Sequence, residues 1–307
     1  MTRSAILTPH GALEPGPMAA ILANHLIPGC EVTGSGAAGP THTRLLSTPG
    51  GPRRITVTIR PHDVELSAET DDHAEFAHLV ATTRAWLDLD TDTAAVARTF
   101  DDDPLLGPLV RERPGLRAVG YPEPFEAAVM TVLGQQVSVA AGGTFGGRLA
   151  AAYGTPMPSG LTLFPPPEVI ASAPHEELRA AVGVTRTRAA TVQNVARAVV
   201  DGLSLDPLAD RGQLRKDLLA IPGIGPWSAD YLTVRVLRDA DAFTPGDLVA
   251  RRAMGNPSIR DAERLAEAWR PFRAYALFHL WTSATYRGDG GVQRPDGERC
   301  ALQGGAG

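Results

Sequence analysis

At Pro114 the hydrophobic pattern changes period for good. Before it, Ile55, Val57 and Ile59 alternate with Arg54, Thr56, Thr58 and Arg60, the period of two that turns one face of an antiparallel strand toward a core. Segments 43–48, 53–60 and 62–68 are predicted strands, with Gly50-Gly51-Pro52 and Pro61-His62-Asp63 as turns. Helices are predicted over 15–26 and over 72–87, where Phe76, Leu79, Val80, Thr83, Trp86 and Leu87 fall at helical spacing. Beyond Pro114 only helical spacing remains: 124–133, 137–153, 175–182, 186–202, 212–220, 226–238, 248–254, 258–269 and 271–286. The chain therefore reads as an α+β N-terminal domain over 1–112, a small antiparallel sheet with helices, followed by an all-α region over 113–286. The proline-rich stretch 155–174 is predicted to be an irregular connection. Residues 287–307, with seven glycines in 21 positions, are predicted to be a disordered tail.

At 307 residues the chain is long enough for two or three domains. No apolar run approaches the roughly 20 residues that span a bilayer, and the first residues lack the continuous apolar stretch of a secretory signal. A cytoplasmic protein is expected. Cys30 and Cys300 are too few for an iron–sulfur cluster or a cysteine-rich zinc site. The net charge of −5 is unevenly placed: about −7 falls in 1–112 and about +2 in 113–307, so a polyanion would bind the second part. Lys216 is the only lysine, so any mechanism that needs a lysine amine has one candidate.

The most informative stretch is 218–247, LLAIPGIGPWSADYLTVRVLRDADAFTPGD. Leu218, Leu219 and Ile221 close one amphipathic helix, Pro222-Gly223-Ile224-Gly225 makes a hairpin, and a second helix follows. Two glycines so close permit positive φ and leave the backbone open to approach. A helix starting just after them points free N–H groups outward, toward a phosphate. A plain helix–turn–helix corner would use the same glycines.

The pattern LxxIPGIGPWxAxY, followed about twenty positions on by Pro245-Gly246-Asp247, resembles the helix-hairpin-helix/GPD superfamily of base-excision DNA glycosylases. Residues 113–141 and 269–283 are similar to segments of its bacterial DNA-3-methyladenine glycosylase II (AlkA-type) branch, which also carries an α+β domain in front. The resemblance implies a monofunctional DNA glycosylase that flips alkylated purines of the 3-methyladenine type out of double-stranded DNA and hydrolyses the N-glycosidic bond in base excision repair. Asp247 matches the catalytic aspartate, and its place at a helix start favours an ionised carboxylate. Trp227, Tyr231 and Trp281 match aromatic positions of the base pocket. Leu248 falls where relatives can carry a further aromatic. Gln136 sits at the position of the residue that wedges into the duplex, beside Gln135. Relatives that cut the strand place a lysine where this chain has Trp227, so no lyase activity is expected. No cofactor is implied, apart from a Na+ or K+ on the carbonyls of Leu219, Ile221 and Ile224 when DNA is bound. Arginines around 179–197 and 251–252 are expected on phosphates.

An N3- or N7-methylated purine is cationic, which suits electron-rich rings and makes it a good leaving group. Two alternatives stay open: a non-catalytic lesion-sensing module built on the same hairpin, and a glycosylase for a neutral lesion such as hypoxanthine or uracil. Trp86, Trp269 and His279 are expected in the core. Nothing in the sequence requires more than a monomer or an obligate protein partner.

Overall fold

The computed structural model describes residues 1–206, 208–287 and 291–292. In chain order its first part runs β1 (Arg3–Leu7), α1 (Pro15–Asn24), β2 (Glu31–Gly36), β3 (Gly39–Leu46), β4 (Arg53–Ile59), β5 (Val64–Ala68), α2 (His73–Trp86), α3 (Thr93–Phe100) and α4 (Leu106–Glu112). The strands form one antiparallel sheet in the order β1-β5-β4-β3-β2. Alternation works as the sequence dictates: Ile55, Val57 and Ile59 of β4 and Val64 and Leu66 of β5 are buried under Leu79 and Trp86 of α2. Asp72 caps α2, accepting from the backbone N–H groups of Ala74 and Glu75 at 2.7 and 3.0 Å.

Two strands of this first part escaped the sequence reading. β1 and β2 are the sheet edges, and their side chains are mostly exposed or half-buried, so neither carries a clear apolar alternation. Helices α3 and α4 were also missed; each is shorter than three full turns, and their apolar residues face the helix over Arg273–Thr285 rather than the sheet.

The second part runs α5 (Pro124–Leu133), α6 (Val139–Tyr153), β6 (Thr155–Pro156), β7 (Thr162–Leu163), α7 (Pro167–Ser172), α8 (His175–Val182), α9 (Arg186–Val200), α10 (Arg211–Ala220), α11 (Pro226–Arg235), α12 (Leu248–Ala253), α13 (Ile259–Ala266) and α14 (Arg273–Thr285). The stretch 155–174 is thus not wholly irregular: it holds a two-residue strand pair and α7, which starts at Pro167, where a missing N–H costs nothing. The helix predicted over 226–238 ends at Arg235, and Arg238 turns left-handed at φ 51°. Ser258 caps α13, its Oγ accepting from the Asp261 N–H at 3.1 Å and donating to the Asp261 carboxylate at 2.7 Å. A short antiparallel pair joins Tyr286–Arg287 to Gly291–Val292; the rest of the predicted tail lies outside the described residues.

Two helical cores result. One gathers α5 to α11 around Val129, Val192, Leu218 and Leu232. The other gathers α3, α4, α12 and α14 around Phe100, Tyr275 and Leu277. Trp86 and Trp269 are buried as expected, and the Trp269 Nε1–H donates to Asp103 at 2.8 Å. His279 is buried too, and desolvation pushes it down to about 4. Among the described residues no helix is long and apolar enough to cross a membrane.

Candidate active site

Helix α10 must stop at Ile221, because Pro222 follows and disfavours α geometry in the residue before it. The turn closes with the Ile224 N–H donating to the Ile221 carbonyl at 3.0 Å, and Ile224 inserts into the first helical core. Gly223 stands at φ +96°, and a Cβ there would lie 1.9 Å from Thr191 Oγ1 of α9. Gly225 stands at the N-cap of α11 with nothing within 4 Å of its would-be Cβ. The hairpin is therefore pressed against the protein at its first glycine and open at its second. Both Pro222 and Gly223 are exposed. A cavity of about 520 Å³ opens on the flank of the hairpin, lined by Asn194, Arg197, Asp217, Ile221 and Pro222.

The loop after α11 brings Asp247 to the start of α12. Its carboxylate is a helix cap, with Oδ1 accepting from the Ala250 N–H at 2.9 Å. Two indoles converge on the same group. The Trp227 Nε1–H donates to Oδ2 at 2.9 Å, and the Trp281 Nε1–H donates to Oδ1 at 3.0 Å. Three N–H donors from α11, α12 and α14 thus hold one carboxylate that is 6% exposed. Its orientation is fixed by both helical cores at once.

The rings form a continuous group. Trp227 and Tyr231 stack with centroids 5.1 Å apart and planes 19° apart, and Trp281 lies 6.0 Å from Tyr231 at 49°. A separation of 5.1 Å leaves no room for a third ring between Trp227 and Tyr231, so a planar ligand would stack outside that pair.

Three of the four proposed pocket side chains therefore come together around Asp247. The fourth, Leu248 at the first position of α12, is 62% exposed. The two glutamines also part company. The Gln135 Nε2 donates to the Gly223 carbonyl at 3.2 Å and to Ser228 Oγ at 2.9 Å, which ties it to the hairpin. Gln136 is exposed in a left-handed conformation, φ 55°. Lys216 is exposed on α10.

The arginines divide as well. Arg179 and Arg186 both pair with Glu176, each at 2.8 Å, and are thereby partly neutralised. Arg188 donates to the Gln135 carbonyl, and Arg251 donates to the Pro257 carbonyl at 2.8 Å. Arg197 is exposed beside the hairpin, and Arg252 is exposed on α12. Sequence reasoning missed Arg235, which donates to the Tyr231 hydroxyl at 3.0 Å; the signal was there, since it lies four residues past Tyr231 on one helix face. It missed Tyr121 and Phe278 too, whose rings flank the Arg235 guanidinium.

Residues 10–122 match the AlkA N-terminal domain, and residues 129–273 match the HhH-GPD superfamily base excision DNA repair protein. The chain is 37% identical over 271 residues to the probable bifunctional transcriptional activator/DNA repair enzyme AlkA of Mycobacterium tuberculosis, covering 85% of this chain and 53% of that one. It therefore spans about half the length of that curated relative. It is 35% identical over 187 residues to DNA-3-methyladenine glycosylase 2 of Escherichia coli, covering 60% of this chain and 66% of that one. The fold is that of a 3-methyladenine DNA-glycosylase from Archaeoglobus fulgidus, with a TM-score of 0.79 at 20% identity over 91% of this chain and 98% of that one.

Proposed function

The chain belongs to the HhH-GPD superfamily of base excision DNA repair proteins, and we propose that it is a monofunctional DNA glycosylase that excises alkylated purines of the 3-methyladenine type. The observation that carries this reading is the Asp247 carboxylate held by the Trp227 and Trp281 indoles beside Tyr231. Breaking an N-glycosidic bond builds positive charge on the sugar. A fixed anion next to a base-stacking surface stabilises that charge and orients the attacking water, which loses its proton as it adds to the sugar carbon. An alkylated purine leaves as a neutral base, so no strong acid is required on the other side.

The hairpin, open at Gly225, presents the first N–H groups of α11 to a DNA phosphate. Arg197, exposed beside the hairpin, adds to it, and Arg252, exposed on α12, offers a second phosphate contact. Gln136, free to project, fills the gap left by the flipped nucleotide, while Gln135 braces the hairpin. The carbonyls of Leu219, Ile221 and Ile224 suit a monovalent cation in the DNA complex: all are neutral oxygens, and Ile221 spends only one lone pair on Ile224 N–H. Trp227 donates its N–H to Asp247 in the first turn after the hairpin, where strand-cutting relatives carry lysine, and the sole lysine is exposed on α10. We assign the protein to the cytoplasm, acting as a monomer on double-stranded DNA.

Incubation of the protein with methylated DNA, with released bases separated by chromatography, tests the reading. Free 3-methyladenine and an uncut strand bearing abasic sites are expected. Binding of abasic duplex without release of any base would make the protein a lesion sensor instead, and strand scission at the abasic site would remove the monofunctional assignment.

A further inference from the structure

Trp227, Tyr231 and Arg235 follow one another at four-residue intervals on α11, so their side chains leave one face of the helix. Two are rings of the candidate site. The third is a cation, and it is 3% exposed. Its Nη1 donates to the Tyr231 hydroxyl at 3.0 Å. Its guanidinium carbon lies 4.7 Å from the Tyr121 ring centre and 5.6 Å from those of Tyr231 and Phe278. The same Nη1 meets His25 Nε2 at 3.4 Å. Burial and the Arg235 charge push His25 down to about 3, so the imidazole is neutral and offers no counter-charge. The buried Nε has no partner, and no ion pair to Arg235 occurs among the described residues.

Such a guanidinium carries a desolvation cost that three ring faces offset only in part. Methionine would fill a place among the same rings without that cost. What the arginine adds is a fixed positive charge directly behind Tyr231, a wall of the base pocket. The two kinds of damaged base respond to it in opposite ways. A neutral base departs with the bonding pair and gathers negative charge, which a nearby cation stabilises. An alkylated base is already cationic and is repelled on entry. We propose that Arg235 is the specificity-determining charge of this pocket, easing release of neutral damaged bases and opposing cationic ones. The inference rests on the glycosylase reading above and refines its substrate class.

The test compares kcat/KM on duplexes carrying a single 7-methylguanine, a cationic base, with duplexes carrying a single hypoxanthine, a neutral one. Removing the charge in Arg235→Met should raise the cationic-to-neutral ratio roughly 3- to 10-fold, mainly through loss on hypoxanthine. His25→Glu neutralises the same charge in place and should move the ratio in the same direction, which keeps the test alive where the methionine variant does not fold. Arg235→Lys keeps the charge and should leave the ratio near that of the wild type. Both rates come from one preparation, so any loss of active protein cancels. An unchanged ratio, or equal losses on both bases, overturns the proposal while leaving the glycosylase reading intact. A wild-type protein that releases neither base overturns both.

Discussion

The Trp227 indole N–H reaches across from α11 to the Asp247 carboxylate at 2.9 Å, so the helix that follows the hairpin also aims the acid that follows the loop. The element proposed to grip the DNA backbone and the group proposed to meet the sugar are thereby held in one rigid relationship. A shift of the hairpin relative to α12 would break that bond and leave a buried carboxylate one donor short.

Asp247→Asn should keep the fold at some cost in stability, because asparagine caps a helix about as well as aspartate but its amide nitrogen cannot accept from the Trp227 Nε1–H. It removes the negative charge, and base release from methylated DNA should fall by roughly 100-fold or more. Affinity for abasic duplex should stay near the wild-type value, since no phosphate contact is lost. Unchanged release would remove Asp247 from the mechanism.

Trp281→Phe keeps a ring but deletes the N–H that donates to Asp247 Oδ1. A hydrogen bond to a charged group contributes about 1.5–3 kcal/mol, so kcat should drop roughly 10- to 100-fold. The drop should appear in single-turnover release of 3-methyladenine, with duplex binding preserved.

The two hairpin glycines should separate stability from DNA binding. Gly223→Ala meets both a positive φ and the Thr191 hydroxyl, and should lose at least about 2 kcal/mol in chemical denaturation. Gly225→Ala has open space and an ordinary φ, so stability should change by no more than about 1 kcal/mol. Its added methyl stands on the face offered to the phosphate, and duplex affinity should weaken instead.

Gln136→Gly should make the free protein slightly more stable, by about 1 kcal/mol, because glycine accepts the left-handed conformation that Gln136 adopts at φ 55°. Activity on duplex lesions should fall while activity on single-stranded methylated DNA falls less. That contrast in release rates isolates the wedge from the chemistry.

His42 and His279 are buried and held neutral, pushed down to about 3 and about 4 from an ordinary 6.5. A depressed histidine stabilises the fold above pH 6.5, and that stability is lost as pH falls toward the folded value. Urea midpoints should therefore decline from pH 6.5 toward pH 4, each histidine adding up to about 1.4 kcal/mol per pH unit to the slope. His279→Gln should make the decline shallower. The same slope in His279→Gln as in the wild type would contradict the assignment.

The alternation of Ile55, Val57 and Ile59 was enough to place β4, and the proline and glycines of 222–225 were enough to place the hairpin. The four-residue spacing of Trp227 and Tyr231 likewise fixes their shared face. These are local properties: backbone stereochemistry and side-chain period act within a few residues, and the sequence displays them directly. The edge strands β1 and β2 were illegible because an exposed edge imposes no burial pattern. Long-range choices were illegible for a related reason. Trp281 is 34 positions beyond Asp247, and only the packing of α14 against α12 brings its N–H to the carboxylate. The exposure of Leu248, the pinning of Gln135 rather than Gln136, and the ring cage around Arg235 were settled in the same way. Each depends on which buried surface meets which, and that is decided by the whole core closing together, not by any stretch of chain read alone.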